Sequence, residues 1–212
     1  YSLAAQKGDS YGDHYIAMVY DSREGIENKK TANEYYRKAA KKNNRDAIHM
    51  LGINYYYGLG VNKDEKNAYQ LLSRSSKLGN THSMDMKAEL FYENKKEYQK
   101  ALQLLRRAEN LGNSDAINKI GYFYENGWVD GNEDYEEAMV YYMKAEKLGH
   151  ADASNNLGVM YEEGLGVIPD IDKAILYYEK AAELESTYAM NNLALLYMYG
   201  NGVEKNLDKA LV

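Results

Sequence analysis

The sequence predicts an all-α protein made of about six helix-turn-helix repeats of roughly 36 residues, arranged as a solenoid. Three observations carry this prediction: a small residue recurs at a nearly constant spacing, an aromatic residue follows each of these at a fixed distance, and an alanine marks each second helix. We call the first small residue of each repeat its anchor. The anchors are Gly12, Ala47, Ser83, Ala116, Ala153 and Ala189, spaced by 35, 36, 33, 37 and 36 residues.

The first helix of each repeat carries a small and an aromatic residue at fixed positions. The fifth residue after the anchor is Gly or Ala in all six repeats, and the eighth is aromatic: Tyr20, Tyr55, Phe91, Tyr124, Tyr161 and Tyr197. A small residue lets a second helix approach closely, and an aromatic one turn further on fills the space where the two helices diverge. We therefore expect these aromatic residues to pack between the helices.

A glycine turn and a capping residue introduce the second helix. The turn has the form Gly-x-Gly-Val at 58–61, 164–167 and 200–203, and glycine favours the positive φ of a helix C-terminus. The second helices are introduced by Asn28, Asp64, Glu97, Asp134, Asp170 and Asn206, and five of these six are good N-caps because a short side-chain oxygen can accept from a free backbone N–H. Four residues further on stand the alanines Ala32, Ala68, Ala101, Ala138, Ala174 and Ala210, which begin the packing face of the second helix.

These features divide the chain into one array over 1–212, with a partial repeat at 1–8, full repeats at 9–43, 44–79, 80–112, 113–149 and 150–185, and a partial repeat at 186–212. Both ends fall within a second helix, so we expect further sequence to flank the array. The third repeat departs most, because Lys87 replaces an apolar residue and the glycine turn is missing. We expect a bend or a local weakness at 87–97.

The string from Ala153 to Ala182 reads A-x3-L-G-x2-Y-x2-G-x-G-V-x2-D-x3-A-x2-Y-Y-x-K-A-A. It resembles the Sel-one-like repeat, a relative of the tetratricopeptide repeat, and the other repeats match it to different degrees. The resemblance implies a right-handed α/α superhelix that serves as an adaptor or scaffold for other proteins. It also implies that the first helices line a concave groove.

The resemblance places two rows of candidate partner-binding residues on the first helices. The row two positions after the anchor is His14, His49, Asp85, Asn118, Asn155 and Asn191. The row nine and ten positions after it includes Tyr56, Tyr57, Tyr92, Glu125, Glu162 and Tyr199. Asparagine can hold a peptide amide and tyrosine offers rigid contacts. The asparagine row is equally consistent with a solvated helix face.

Nothing in the sequence predicts catalysis or a cofactor. The chain has no Cys, and His14 and His49 should lie one repeat apart, roughly 10 Å, which is too far for shared metal ligation. Adjacent carboxylates such as Glu136 and Glu137 point different ways on a helix. We therefore expect no enzyme activity, no metal and no cofactor.

The charge and hydropathy patterns narrow the class of partner. The net charge is −6, with about +5 over 1–112 and −11 over 113–212, which disfavours sequence-independent nucleic-acid binding. No apolar run is long enough for direct membrane insertion. We expect a protein or peptide partner; the alternative is a self-assembling array whose oppositely charged ends associate. Cytoplasmic, periplasmic, secreted and endoplasmic-reticulum locations all fit the sequence.

Overall fold

The computed structural model describes residues 9–211, and within that range the chain forms α-helices and one short 3-10 helix without any strand. The all-α helical repeat prediction is therefore confirmed, whereas the partial helix expected over 1–8 lies outside the described residues. The helices are α1 Ser10–Asp21, α2 Ile26–Lys41, α3 Arg45–Tyr57, α4 Glu65–Lys77, α5 Thr81–Lys95, α6 Tyr98–Glu109, α7 Ser114–Glu125, α8 Tyr135–Glu146, α9 Ala151–Glu163, α10 Ile171–Glu183 and α11 Thr187–Tyr199, followed by the 3-10 helix Lys209–Leu211.

The chain divides into two compact units, 1–96 and 97–212, which we describe separately. The first unit contains α1 to α5 and the second contains α6 to α11 and the 3-10 helix. Within a unit, each helix packs against its neighbours in sequence. The first unit has 16 basic and 12 acidic residues and a net charge of +4, and the second has 10 and 20 and a net charge of −10.

The boundary between the units falls in the third repeat, inside the stretch 87–97 that the sequence marks as divergent. Helix α5 runs to Lys95, and Lys96 ends it with a left-handed φ of 52°. Only residues 96 and 97 then connect α5 to α6, where the second and fifth repeats use seven-residue turns at 58–64 and 164–170. A single array through both units remains a prediction.

Where both helices of a repeat lie in one unit, the core of the repeat lies between them. The predicted second-helix alanines Ala32, Ala68, Ala101, Ala138 and Ala174 are all fully buried. Three of the aromatic residues at the eighth position stack on the following helix, as predicted, with ring centroids 6.1 Å apart for Tyr20 and Tyr35, 5.4 Å for Tyr124 and Tyr141, and 5.6 Å for Tyr161 and Tyr177. These tyrosines therefore pack between helices rather than facing a ligand.

The small residue at the fifth position permits this close approach. A Cβ atom on Gly158 would lie 2.5 Å from the ring of Tyr178, and one on Gly121 would lie 2.7 Å from the ring of Tyr142. Both distances are far below van der Waals contact. In these two repeats, glycine therefore leaves the space in which the second helix brings its buried tyrosine against the first helix.

The turn also links successive repeats. Gly164 ends α9 with a φ of 73°, which favours glycine. At Gly166, a Cβ would lie 2.9 Å from the backbone of Tyr135 in the preceding repeat. In the fourth repeat, the longer turn instead places Trp128 on Tyr98 of the preceding repeat, with ring centroids 4.6 Å apart. Both kinds of turn thus hold one repeat against the start of the previous second helix.

The predicted N-caps of the second helices are largely confirmed. The carboxylates of Asp64, Asp134 and Asp170 each accept a hydrogen bond from a backbone N–H in the first turn of α4, α8 and α10. Asn206 accepts from the backbone N–H of Lys209 in the 3-10 helix. These interactions end the glycine turns and fix where each helix begins.

The prediction for Asn28 is wrong, because α2 begins at Ile26, three residues earlier than a cap at Asn28 requires. Gly25 occupies the cap position with a φ of 102°, and the Asn28 side chain instead donates to the backbone oxygen of Glu24 at 2.7 Å. The first repeat has a shorter turn, so the helix starts directly after its glycine. Glu97 does occupy the cap position of α6, but its side chain makes no capping hydrogen bond.

Candidate protein-binding face

Each first helix has a cap residue, and four of these six residues also form a hydrogen bond with the preceding repeat. The caps are Asp9, Asn44, Asn80, Asn113, His150 and Ser186, each three positions before an anchor. Asn80 donates to Asp46 at 2.8 Å, and Ser186 donates to Asp152 at 3.3 Å. Because Asn44, Asn80, His150 and Ser186 each join two first helices of one unit, they fix how those neighbouring repeats present their candidate binding residues.

His150 is one of these caps, and both of its ring nitrogens are used. Its Nδ1 accepts from the backbone N–H of Ala153 at 3.2 Å, so the proton of the neutral ring lies on Nε2. Nε2 is 3.1 Å from a carboxylate oxygen of Asp115 in the preceding repeat. This histidine therefore stabilises the start of α9 and the contact between two repeats.

In the second unit, the predicted asparagine row lies in a ladder of amide hydrogen bonds. Asn156 donates to the side-chain oxygen of Asn118 at 3.2 Å, and Asn192 donates to that of Asn155 at 2.9 Å. Asn155 is buried at 8% exposure, whereas Asn191 is exposed. The ladder gives Asn118 and Asn155 a role between repeats and leaves Asn191 as the accessible member of the row.

In the first unit, the equivalent row lies beside a cavity of about 490 Å³. We call it the histidine cavity; its walls include His14, His49, His82, Asp21, Asp46 and Tyr36. His49 Nδ1 is 2.8 Å from the hydroxyl of Ser83, and its ring centroid is 5.9 Å from that of His82. The third member of the row, Asp85, is half-buried on α5 and does not line the cavity.

The two histidines of the row are held in the neutral form. Burial lowers the pKa of His49 to about 4, and the nearby His82 adds to this shift, while Asp46 opposes it. Burial also lowers the pKa of His14, again opposed by Asp46. Near neutral pH, both imidazoles are therefore uncharged hydrogen-bonding groups.

The predicted tyrosines of the second row differ in accessibility. Tyr57 and Tyr199 are 62% and 67% exposed, near the C-terminal ends of α3 and α11. Tyr56 is half-buried and packs edge-to-face on Tyr57, with ring centroids 5.0 Å apart. Tyr92 is half-buried on α5. Tyr57 and Tyr199 are thus the members of this row best placed to meet a partner.

The acidic members of the second row are bonded to buried tyrosines of the following helix. Glu125 accepts from the Tyr142 hydroxyl, and Glu162 accepts from that of Tyr178 at 2.7 Å. Burial, together with the adjacent carboxylate, raises the pKa of both tyrosines. Each carboxylate therefore satisfies a buried phenol inside its own repeat.

The residue at this ninth position varies together with the residue four positions after the second-helix alanine. In the first repeat, Asp21 accepts from the hydroxyl of Tyr36 at 3.3 Å. The second and third repeats have no acid here: Tyr56 and Tyr92 take its place, and the buried tyrosine becomes Leu72 or Leu105. The first five repeats thus form two types by sequence, an acid–tyrosine type and a tyrosine–leucine type.

The sequence contained signals for two features that its interpretation missed. The residue three before each anchor is always Asp, Asn, His or Ser, which predicts six first-helix caps. The pairing of an acid with tyrosine, and of tyrosine with leucine, is also visible once the repeats are aligned. By contrast, no spacing rule groups His82 with His14 and His49, because His82 stands one position before its anchor.

Among residues 9–211, no group of three or more His, Cys, Asp or Glu side chains is arranged to hold a metal ion. The helices of the same range also include none with the length and apolar character needed to cross a membrane.

The fold and its repeats define the class of protein first: a helical repeat protein related to the tetratricopeptide arrays. The Sel1 repeat model matches residues 14–44, 45–80, 94–113, 114–150, 151–186 and 187–212, and the chain belongs to the Sel1 repeat family. The weak third repeat is matched only over its second half. Sel1 repeat proteins generally mediate protein–protein interactions, and the fold is typically a non-enzymatic scaffold.

Solved structures agree with this assignment. A Sel1 repeat protein from Oxalobacter formigenes is 30% identical with a TM-score of 0.87, covering 96% of this chain and 85% of that one. A protective antigen of uropathogenic Escherichia coli with the same repeat fold is 27% identical with a TM-score of 0.81. The alignment covers 99% of this chain but 45% of the antigen, so the chain spans less than half its length. No match was found among curated proteins.

Proposed function

We propose that this protein is a non-enzymatic adaptor that binds a partner protein or an extended peptide along the first helices of its repeats. The ladder of bonds between successive first helices carries the proposal. The Asn156–Asn118 and Asn192–Asn155 bonds in the second unit and the His49–Ser83 contact in the first hold equivalent side chains in fixed positions. Side chains ordered before binding lose less conformational entropy when a partner docks.

Under this proposal, some of the predicted residues contact the partner directly and the others position the binding face. Tyr57, Asn191 and Tyr199 are exposed and make direct contacts. Tyr56 and Tyr92, which are half-buried, contribute partial contacts. The remaining members of both rows, His14, His49, Asp85, Asn118, Asn155, Glu125 and Glu162, position the face from partly or largely buried sites.

The test is a pull-down from a lysate of the source organism with a variant that changes only exposed face residues, Tyr57→Ala/Asn191→Ala/Tyr199→Ala. The matched control is Tyr69→Ala/Val140→Ala/Leu176→Ala, which alters exposed residues of the second helices. Circular dichroism should first show that both are as helical as the parent protein. We expect a specific protein to be lost from the face variant and kept by the control. Equal recovery by both variants would refute the proposed face.

The opposite charges of the two units favour a second candidate, self-association of copies through unlike ends. Units of net charge +4 and −10 attract one another between copies at low salt, and screening weakens this attraction. Light scattering over a range of protein concentrations should then give a mass that falls as salt is added. A monomeric mass at high protein concentration and low salt would exclude this candidate.

A further inference from the structure

The histidine cavity has an acidic lining although it lies in the first unit, which carries a net positive charge. The first unit is net basic, yet no lysine or arginine lines the cavity, whereas the carboxylates of Asp21 and Asp46 do. The cavity is therefore a locally acidic recess in a basic unit. It favours a cation inside the recess over one elsewhere on the unit.

The negative charges of the two carboxylates are not equally balanced by neighbouring cations and hydrogen-bond donors. Asp21 has a cation at close range, with the Lys29 ammonium 2.8 Å from one oxygen, and its other oxygen accepts from the Tyr36 hydroxyl. At Asp46, the guanidinium of Arg45 is 3.7 Å away, and Asn80 donates a neutral hydrogen bond at 2.8 Å. Asp46 thus retains more capacity for a further positively charged donor.

A second group in the cavity also lacks a donor. The Nδ1 atom of His14 is buried and has no hydrogen-bond partner. In the tautomer with the proton on Nε2, this nitrogen is an acceptor, and a buried acceptor without a donor costs free energy. Asp46 is close enough to His14 to act on it electrostatically. The cavity therefore offers an anionic and a neutral acceptor to one incoming group.

The remaining walls suit the aliphatic part of such a group. Met18 and Met50 line the cavity beside the buried Tyr36. Flexible thioether side chains adapt to the stem of a long side chain. Arginine combines an aliphatic stem with a planar head that carries several N–H donors.

We propose that the histidine cavity receives an arginine side chain of the bound partner, with Asp46 as its counter-ion and His14 Nδ1 as a second acceptor. This inference rests on the proposed function, because the arginine belongs to a protein or peptide held on the first-helix face. It adds a chemical requirement to that function: the partner presents an arginine to the first unit. Because His14 and His49 are neutral near pH 7, they do not repel the guanidinium.

The test follows the imidazole signals of the four histidines by NMR in the intact chain while N-acetyl-L-arginine amide is added. The control probe is N-acetyl-L-citrulline amide, which has nearly the same shape without the charge. We expect saturable shifts at His14, His49 and His82 with the arginine probe and at least tenfold weaker binding of the citrulline probe. His150 lies in the other unit as a helix cap and should not respond.

Two variants make the result specific. Asp46→Asn keeps an oxygen that can accept from Asn80 but removes the charge, and we expect it to weaken arginine binding at least tenfold. Asp152→Asn is the matched control, because Asp152 occupies the same repeat position and also bonds to the next helix cap. Equal shifts with both probes, or unchanged binding by Asp46→Asn, would overturn the inference.

The two proposals fail separately. If the arginine probe does not bind but the face variant still loses its partner, the cavity assignment is wrong and the adaptor function stands. If the arginine probe binds in an Asp46-dependent way but the face variant keeps its partner, the cavity binds a cation and the proposed binding face is wrong.

Discussion

A buried pair of asparagines between the first two repeats offers the sharpest test of how the repeats are held together. Asn33 on α2 and Asn54 on α3 are 0% and 1% exposed. Asn54 donates to the side-chain oxygen of Asn33 at 2.8 Å, and Asn33 donates to the backbone oxygens of Lys29 and Leu59 at 2.9 and 2.7 Å. The pair therefore satisfies itself and ties the turn of the second repeat to the first.

The other repeat junctions provide the apolar alternative. The equivalent positions hold Met139 and Met160, which belong to one buried cluster of the second unit. Either single change, Asn33→Met or Asn54→Met, leaves a buried amide without its partner, which costs about 1–3 kcal/mol. In the double variant neither amide remains, so we expect it to be more stable than the sum of the single changes by about 2 kcal/mol.

The assay is urea unfolding at neutral pH followed by circular dichroism, for the parent protein, both single variants and the double variant. Because repeat arrays can unfold in parts, amide hydrogen exchange in α2 and α3 should supply the local free energy of opening. Strict additivity, or an Asn33→Met variant as stable as the parent, would show that the asparagine pair contributes no coupling between repeats.

Three further predictions concern single positions. Gly158→Ala should lower the free energy of unfolding by about 1–3 kcal/mol because the new Cβ meets Tyr178. Gly52→Ala, whose Cβ would lie 3.1 Å from a leucine, should lower it less in the same urea titration, and equal losses would contradict this reasoning. His49 has a folded pKa of about 4, below the unfolded value, so stability should fall by about 2 kcal/mol as the pH falls from 6.5 to 4. His49→Gln should flatten that profile, and a parallel loss in parent and variant would rule out this source. His150→Ala should cost about 1 kcal/mol through the lost helix cap, and His150→Asn should restore most of it in thermal unfolding; no recovery would show that the ring matters in another way.

The features that the sequence predicted are those that recur at a fixed spacing and are buried or partly buried in every repeat. The anchors, the second-helix alanines and the stacked tyrosines each occupy the same local environment in successive repeats. A position such as Ala138 or Tyr161 therefore repeats its residue type because it repeats its packing. The prediction failed at Asn28, where the first repeat has a shorter turn than the pattern assumes.

The candidate site was less predictable because its contacts join different positions of different repeats. The bond from Asn156 to Asn118 links the third residue after one anchor to the second residue after another. Likewise, His82 and His49 occupy different repeat positions and meet only through helix packing. A comparison of equivalent positions in the aligned repeats cannot show such contacts, because they depend on the offset between neighbouring helices.

The existence of two repeat types limits how such a gene can recombine. Duplication of a whole repeat transfers Glu162 together with Tyr178, so the phenol and its acceptor arrive as a set. An unequal crossover in the glycine turn would instead join the first half of one repeat to the second half of another. A hybrid of the fifth and second repeats would place a carboxylate against Leu72, and the reciprocal hybrid would leave a buried phenol facing Tyr56. Viable rearrangements are therefore expected to have their breakpoints between repeats rather than within them.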